Sequence, residues 1–191
     1  LIRWPKVIKP GSVSHGLLQN TDFVPTWFEL AGAKIPKDYH MDGKSLVPMF
    51  EDPSISVREF IYAEQGAARA IKTDTLEFLS IRYTDEQIAM AQSKRSDRTY
   101  KTLLGLSSGI SRARYFHPEI FSADQLYDLS KDPHSQKNLA TDPSYAGQLK
   151  KMKNMLTRTV KKLGSRPYGD FVPGKGTSDA DTSQKILDKL S

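Results

Sequence analysis

The chain has no cysteine, which excludes disulfides and thiolate metal sites. No apolar run approaches roughly 18 residues, the minimum for a membrane-crossing helix. Its four histidines, His15, His40, His117 and His134, stand too far apart in sequence for any two to form a local metal pair. No two aspartates are adjacent, and no Asp-x-Asn or Asp-His cluster marks a calcium site. No internal repeat of solenoid length is present. One long stretch lacks charge of one sign: from Ser144 to Leu163 there is no acidic residue.

What is present fits a globular chain with room for one substantial core or two small ones. The 191 residues are 38% hydrophobic and 26% charged, with 28 Lys and Arg against 22 Asp and Glu, a net charge of +6. That balance favours acidic partners, whether sulfated glycans, nucleic acid or anionic surfaces.

Local patterning predicts the elements. Ile2–Trp4 read as the end of a buried strand stopped by Pro5, and Gly16–Gln19 as a short strand. Asp22 is placed as an N-cap, with Pro25 in the first helical turn, an apolar stripe of Phe23, Trp27, Leu30 and Ala31, and Gly32 as the stop. Residues 33–57 are loop-rich. Glu59–Glu64 alternates as a strand, and Ala68–Lys72 with Leu76–Arg82 forms a hairpin around Thr73-Asp74. Gln87–Leu104 holds helical turns. Gln125–Ser130 is a further strand, ended by Asp132-Pro133. The clearest helix is capped by Asp142-Pro143-Ser144, carries Tyr145, Leu149, Met152, Leu156, Val160 and Leu163 on one face, and closes at Gly164. Ser165–Ser191 is polar, Gly-rich and flexible, with one helical turn near Ile186–Leu190.

Two blocks carry more than secondary structure. Asp124–Ala140 (DQLYDLSKDPHSQKNLA) resembles the LYDL-x-x-DP-x-E-x-x-NLA segment of sulfatases in the alkaline-phosphatase-like superfamily, with Ser135 in place of the usual Glu. Near the start, Arg3, Trp4, Pro5, Asp22, Pro25, Thr26, Leu30, Ala31, Gly32, Asp42, Gly43, Ser45, Leu46 and Pro48 match a second sulfatase stretch in the same order. The resemblance implies a mixed α/β (α+β) chain. Residues 1–57 would be the remnant edge of the catalytic α/β domain, and 58–164 the C-terminal subdomain, a four-stranded antiparallel sheet packed against an amphipathic helix. Residues 165–191 would be a flexible tail. It also implies a secreted, periplasmic or lysosomal setting. A start at Leu1 is read as a piece of a longer chain, with its N-terminal catalytic part elsewhere.

A sulfatase needs a formylglycine nucleophile, made from Cys or Ser in C/S-x-P/A-x-R. It also needs a calcium ion held by several Asp and Asn oxygens, and basic groups around the sulfate. The nearest imitation of the modification motif, Ser165-Arg166-Pro167-Tyr168-Gly169, ends in Gly where Arg is required. The chain alone therefore carries no catalytic or metal residues and is expected to be inactive. Calcium and formylglycine are implied only for the full-length family.

Three residues are candidates for substrate contact. His40 lies beside Met41-Asp42-Gly43, in a loop able to face a cleft, although a loop histidine more often rests on solvent or a backbone group. Arg69 and Lys72 resemble the family's R-A-V/I-R-T at the hairpin start. An Arg fork suits sulfate oxygens, and the competing reading is an ion pair across the hairpin. The helix carrying Lys150, Lys151, Lys153, Arg158, Lys161 and Lys162 is either a solvated face or a polyanion contact. The cluster Lys94–Arg98 reads as an exposed loop. With no aromatic residues interleaved, nucleic acid is not an expected partner.

The reading these observations favour is the C-terminal part of a sulfatase acting on a sulfated carbohydrate and packing on its own N-terminal domain. Two alternatives stand beside it: a phosphonate or phosphate monoester hydrolase of the same superfamily, and a non-catalytic polyanion-binding module.

Overall fold

The computed structural model describes residues 1–39, 41–65, 68–82, 119 and 122–163. The expected helical turns in Gln87–Leu104, the basic cluster Lys94–Arg98, Gly164 and the tail 165–191 lie outside these residues, as do His40 and His117. The chain divides into two units, Leu1–Ile61 and Tyr62–Ser191.

In the first unit, helix α1 spans Phe23–Leu30 and follows a 3-10 turn, Asn20–Asp22. Pro25 occupies its first turn, where a missing N–H costs nothing. Gly32 closes it in the left-handed region at φ +63°, and Ala33 N–H returns to Phe28 C=O at 2.9 Å. Asp22 does not cap α1. Its own backbone is helical (φ −73°, ψ −20°), whereas a cap needs extended backbone to aim its oxygen at the first-turn amides.

The expected apolar stripe also turns outward. Trp27 is 62% and Leu30 45% exposed, while the residues α1 buries are Pro25 and Thr26. Phe23 and Trp27 stack on each other with ring centroids 6.0 Å apart. Within the stretch expected to be loop, Val47–Glu51 forms a short helix, α2, started by Pro48 and burying Met49. Residues 2–4 and 16–19 belong to no sheet, because an isolated extended segment has no ladder to join. Trp4 C=O instead accepts from Val7 and Ile8 N–H at 2.9 and 2.8 Å, and Leu17 N–H donates to Ser56 Oγ at 3.1 Å.

The second unit is a four-stranded sheet in the order β1-β2-β3-β4. The strands are β1 Ile61–Gln65, β2 Ala68–Lys72, β3 Leu76–Ile81 and β4 Asp124–Asp128. The β2–β3 and β3–β4 pairs are antiparallel. Thr73 sets the hairpin: its N–H donates to Leu76 C=O at 2.8 Å, and its Oγ1 accepts from Leu76 N–H at 2.9 Å.

Ile71, Phe78 and Leu126 stand opposite one another across three strands, and all three are fully buried. Helix α3, Ala146–Lys162, adds Met152, Leu156 and Val160 to this core. Those residues lie at i, i+4 and i+8, the spacing of one helical face. As expected, Asp142 starts the helical segment, its carboxylate accepting from Ser144 N–H at 2.9 Å.

The outer edge of β4 is already taken. Asn138 Oδ1 accepts from Leu126 N–H at 3.0 Å, and its Nδ2 donates to Asp124 C=O at 3.2 Å. Leu139 N–H donates to Leu126 C=O, and Asp132 N–H to Asp128 C=O, each at 2.8 Å. The DP-x-x-x-x-NLA block is thus a clamp along a strand edge. Ser135, at the position where sulfatases usually have Glu, sits at φ +53° and donates from Oγ to Glu77 at 2.8 Å.

Candidate functional site

The carboxylate of Asp22 is the most connected polar group of the first unit. It is fully buried, accepts from Gln19 N–H at 2.7 Å and Lys44 N–H at 2.8 Å, and pairs with the Arg58 guanidinium. Arg58 Nη1 also donates to Gln19 Oε1 at 2.9 Å. Thr26 extends the network: its hydroxyl donates to Asp22 C=O at 2.5 Å and accepts from Leu46 N–H at 2.9 Å.

The effect is to pin Lys44–Leu46 against α1, which fixes the exit of the segment that carries Asp42 and Gly43. A Cβ on Gly43 would lie 2.1 Å from Thr21 C=O, so only glycine allows this approach. The matching Asp22, Thr26 and Gly43 of the sequence blocks are therefore loop-holding residues. Arg58 had no sequence signal of its own, because its partner lies 36 residues away.

On the sheet, Arg69 and Lys72 are not brought together. They lie three residues apart on β2 and so project to opposite faces. Arg69 shares the core face with Ile71 and is 3% exposed. Its Nε stands 3.2 Å from Glu64 Oε2, and its Nη1 donates to Ala68 C=O at 2.9 Å. Glu64 also accepts from the Tyr62 hydroxyl at 2.6 Å. Burial, then the bond to Glu64, raises the Tyr62 phenol well above its usual range. Lys72 is partly exposed, on the opposite face, in register with Glu77. His40 lies outside the described residues.

Two further charged clusters join the sheet to its surroundings. Asp124 Oδ1 meets Arg82 Nη2 at 2.7 Å, and its Oδ2 meets Lys153 Nζ of α3 at 2.5 Å. Burial pushes this carboxyl up, but the bonds from Lys153 and Arg82 outweigh it and hold it below the usual value. Asp128 accepts from Ser130 Oγ at 2.5 Å and Tyr145 hydroxyl at 2.8 Å, with Lys131 Nζ at 3.2 Å. Those bonds, led by Ser130, hold it far below the ordinary carboxylate range. Beside α3 runs an open groove of about 340 Å³, lined in part by Asp142, Leu149, Lys150, Lys153 and Asn154.

Among the described residues there is no group of three His, Cys, Asp or Glu able to hold a metal ion. The carboxylates that stand out are each committed to arginine, lysine, serine or backbone partners.

A family model for the C-terminal part of N-sulphoglucosamine sulphohydrolase matches residues 1–86. An ulvan-active sulfatase of Formosa agariphila is 34% identical over 149 residues, covering 75% of this chain and 28% of that protein. An N-acetylglucosamine-6-O-sulfatase of Bacteroides thetaiotaomicron is 26% identical over 161 residues, covering 84% of this chain and 24% of that protein. The chain thus spans about a quarter of the length of these curated relatives. Among solved structures, one in complex with its substrate D-glucosamine-2-N,6-O-disulfate shares the fold, with a TM-score of 0.57 at 24% identity over 85% of this chain and 28% of that one. Taken with the two sequence blocks and the sheet-and-helix unit, these matches establish that the chain belongs to the sulfatase family and corresponds to its C-terminal portion.

Proposed function

We propose that this chain serves as the C-terminal portion of a sulfatase that hydrolyses sulfate esters of a carbohydrate. Its nucleophile and metal site would reside in an N-terminal catalytic domain. The supporting observation is 34% identity over 149 residues to a relative named as an ulvan-active sulfatase, joined by one named for N-acetylglucosamine-6-O-sulfate chemistry. Formylglycine and calcium are the groups such an enzyme uses. The described residues do not fit either one, having no cysteine, no Ser-x-Pro/Ala-x-Arg motif and no three-ligand cluster, so in this reading both belong to the catalytic domain.

The chain's own contribution is structural and electrostatic. Residues 1–57 would complete the edge of the catalytic domain, 58–164 would form the C-terminal subdomain, and 165–191 would trail as a tail. The exposed apolar side chains of Val24, Trp27, Leu30, Ile35 and Ile55 supply a surface that the catalytic domain would cover. Of the three candidate contacts, His40 and Lys72 would approach the sulfated substrate. Arg69, held by Glu64, would fix β1 on β2.

Two preparations test this. The purified chain, supplied with calcium, is expected to release no sulfate from aryl or sugar sulfates. A chimera in which this chain replaces the matching C-terminal part of the Formosa agariphila sulfatase is expected to keep sulfate release. Turnover by the chain alone above a mock preparation, or a folded but inert chimera, overturns the proposal.

A further inference from the structure

The outer face of α3 has a composition that packing does not explain. Lys150, Lys151, Arg158, Lys161 and Lys162 are all exposed. At about 100° per residue they fall, with Gly147 and Asn154, on one arc of about 120° opposite Met152, Leu156 and Val160. From Lys150 to Lys162 the stripe runs about 18 Å along the helix axis. The helix carries no carboxylate, so it has no i, i+4 ion pairs to neutralise these charges. Lys161 and Lys162 suit the negative helix end, whereas Lys150 and Lys151 lie beyond the first turn and draw no such support from the helix dipole. Lys153, by contrast, is drawn to Asp124 and lies off the arc.

We propose that this face of α3 is a binding track for a sulfated polysaccharide. The charge pattern suits a polyanion with several negative groups along its length. The arc contains no Phe, Tyr or Trp on which bases could stack, which disfavours single-stranded nucleic acid. It contains no apolar side chain to insert among acyl chains, which disfavours a lipid surface. The adjoining groove of about 340 Å³ is bordered by Lys150, Lys153 and Asn154 and by Asp142, whose carboxylate is engaged by Ser144; it offers polar groups and room for a sugar unit beside the track. The inference goes beyond the proposed hydrolysis, because binding here needs neither nucleophile nor metal. Failure of one leaves the other standing.

The test uses the full 191-residue chain with fluorescein-labelled heparin, read by anisotropy across a salt series. The triple variant K150E/R158E/K161E is compared with K6E/K9E/K37E, which changes net charge equally at exposed lysines of the first unit. The stripe variant is expected to lose at least about tenfold in affinity and to show a shallower salt slope, while the other loses less than about threefold. Glutamine at the same three stripe positions, with helix content checked by circular dichroism, is expected to give a smaller loss in the same direction. Equal losses in the two charge-reversed variants, or no loss from the stripe variant, overturn the proposal. So does tighter binding of single-stranded DNA or of phosphatidylserine vesicles than of heparin.

Discussion

Each of the two units of this chain has its own balance of buried carbon and buried charge. In Tyr62–Ser191, carbon is buried: Ile71, Phe78, Leu126, Met152 and Leu156 are at or near zero exposure, and the charged pairs lie around them. In Leu1–Ile61 a buried charge, Asp22, ties Arg58, Thr26 and three loop segments together beside a smaller apolar centre of Leu46 and Met49, while Trp27 and Leu30 face outward. A buried ion pair is poor at generating stability but strict about geometry. The first unit therefore behaves as a positioned surface, and the second as a small domain with a core of its own.

Truncating the apolar centre should have the largest effect. Phe78→Ala is expected to cost about 4 kcal/mol, seen as loss of the main thermal transition and of amide protection throughout β2–β4 and α3. If that protection survives, the second unit is not organised around Phe78. Next, Asp22→Ala leaves Arg58 buried without its carboxylate and should cost about 3 kcal/mol. Its signature is locality: hydrogen exchange should rise at Gln19, Lys44 and Leu46 while the Ile71 and Leu126 amides stay protected. Uniform deprotection of both units would erase the contrast drawn here.

The smallest effect is in acid. The carboxyl of Asp128 is depressed in the folded chain relative to its value of 3.8 when unperturbed, so the unfolded state binds the proton more readily. The stability it contributes is intact above about pH 4 and is lost as pH falls through the folded value. Asp128→Asn should flatten the decline of melting temperature with acid and leave neutral-pH melting only slightly lowered. An unchanged acid slope would remove Asp128 from the account.

What the sequence made legible follows the same division. The hairpin at Thr73, strand β4 and helix α3 were readable because local turn chemistry and a core face of period two or 3.6 specify them together. In the first unit, periodicity misled: Phe23, Trp27 and Leu30 have helical spacing, yet α1 turns that side outward and buries Pro25 and Thr26. Asp22 looked like a cap because caps and buried hubs use the same residue type, and only a partner 36 positions away distinguishes them. At the candidate site, Arg69 and Lys72 were visible as a pair in sequence. Their division between two faces of β2 follows from strand alternation, and the hold of Glu64 on Arg69 from the neighbouring strand.

The clamp formed by Asn138, Leu139 and Asp132 has a consequence for self-association. With the outward amide and carbonyl of Leu126 and the carbonyls of Asp124 and Asp128 already satisfied, β4 presents few unpaired groups to an incoming strand. Edge-to-edge pairing with another copy is disfavoured on that flank.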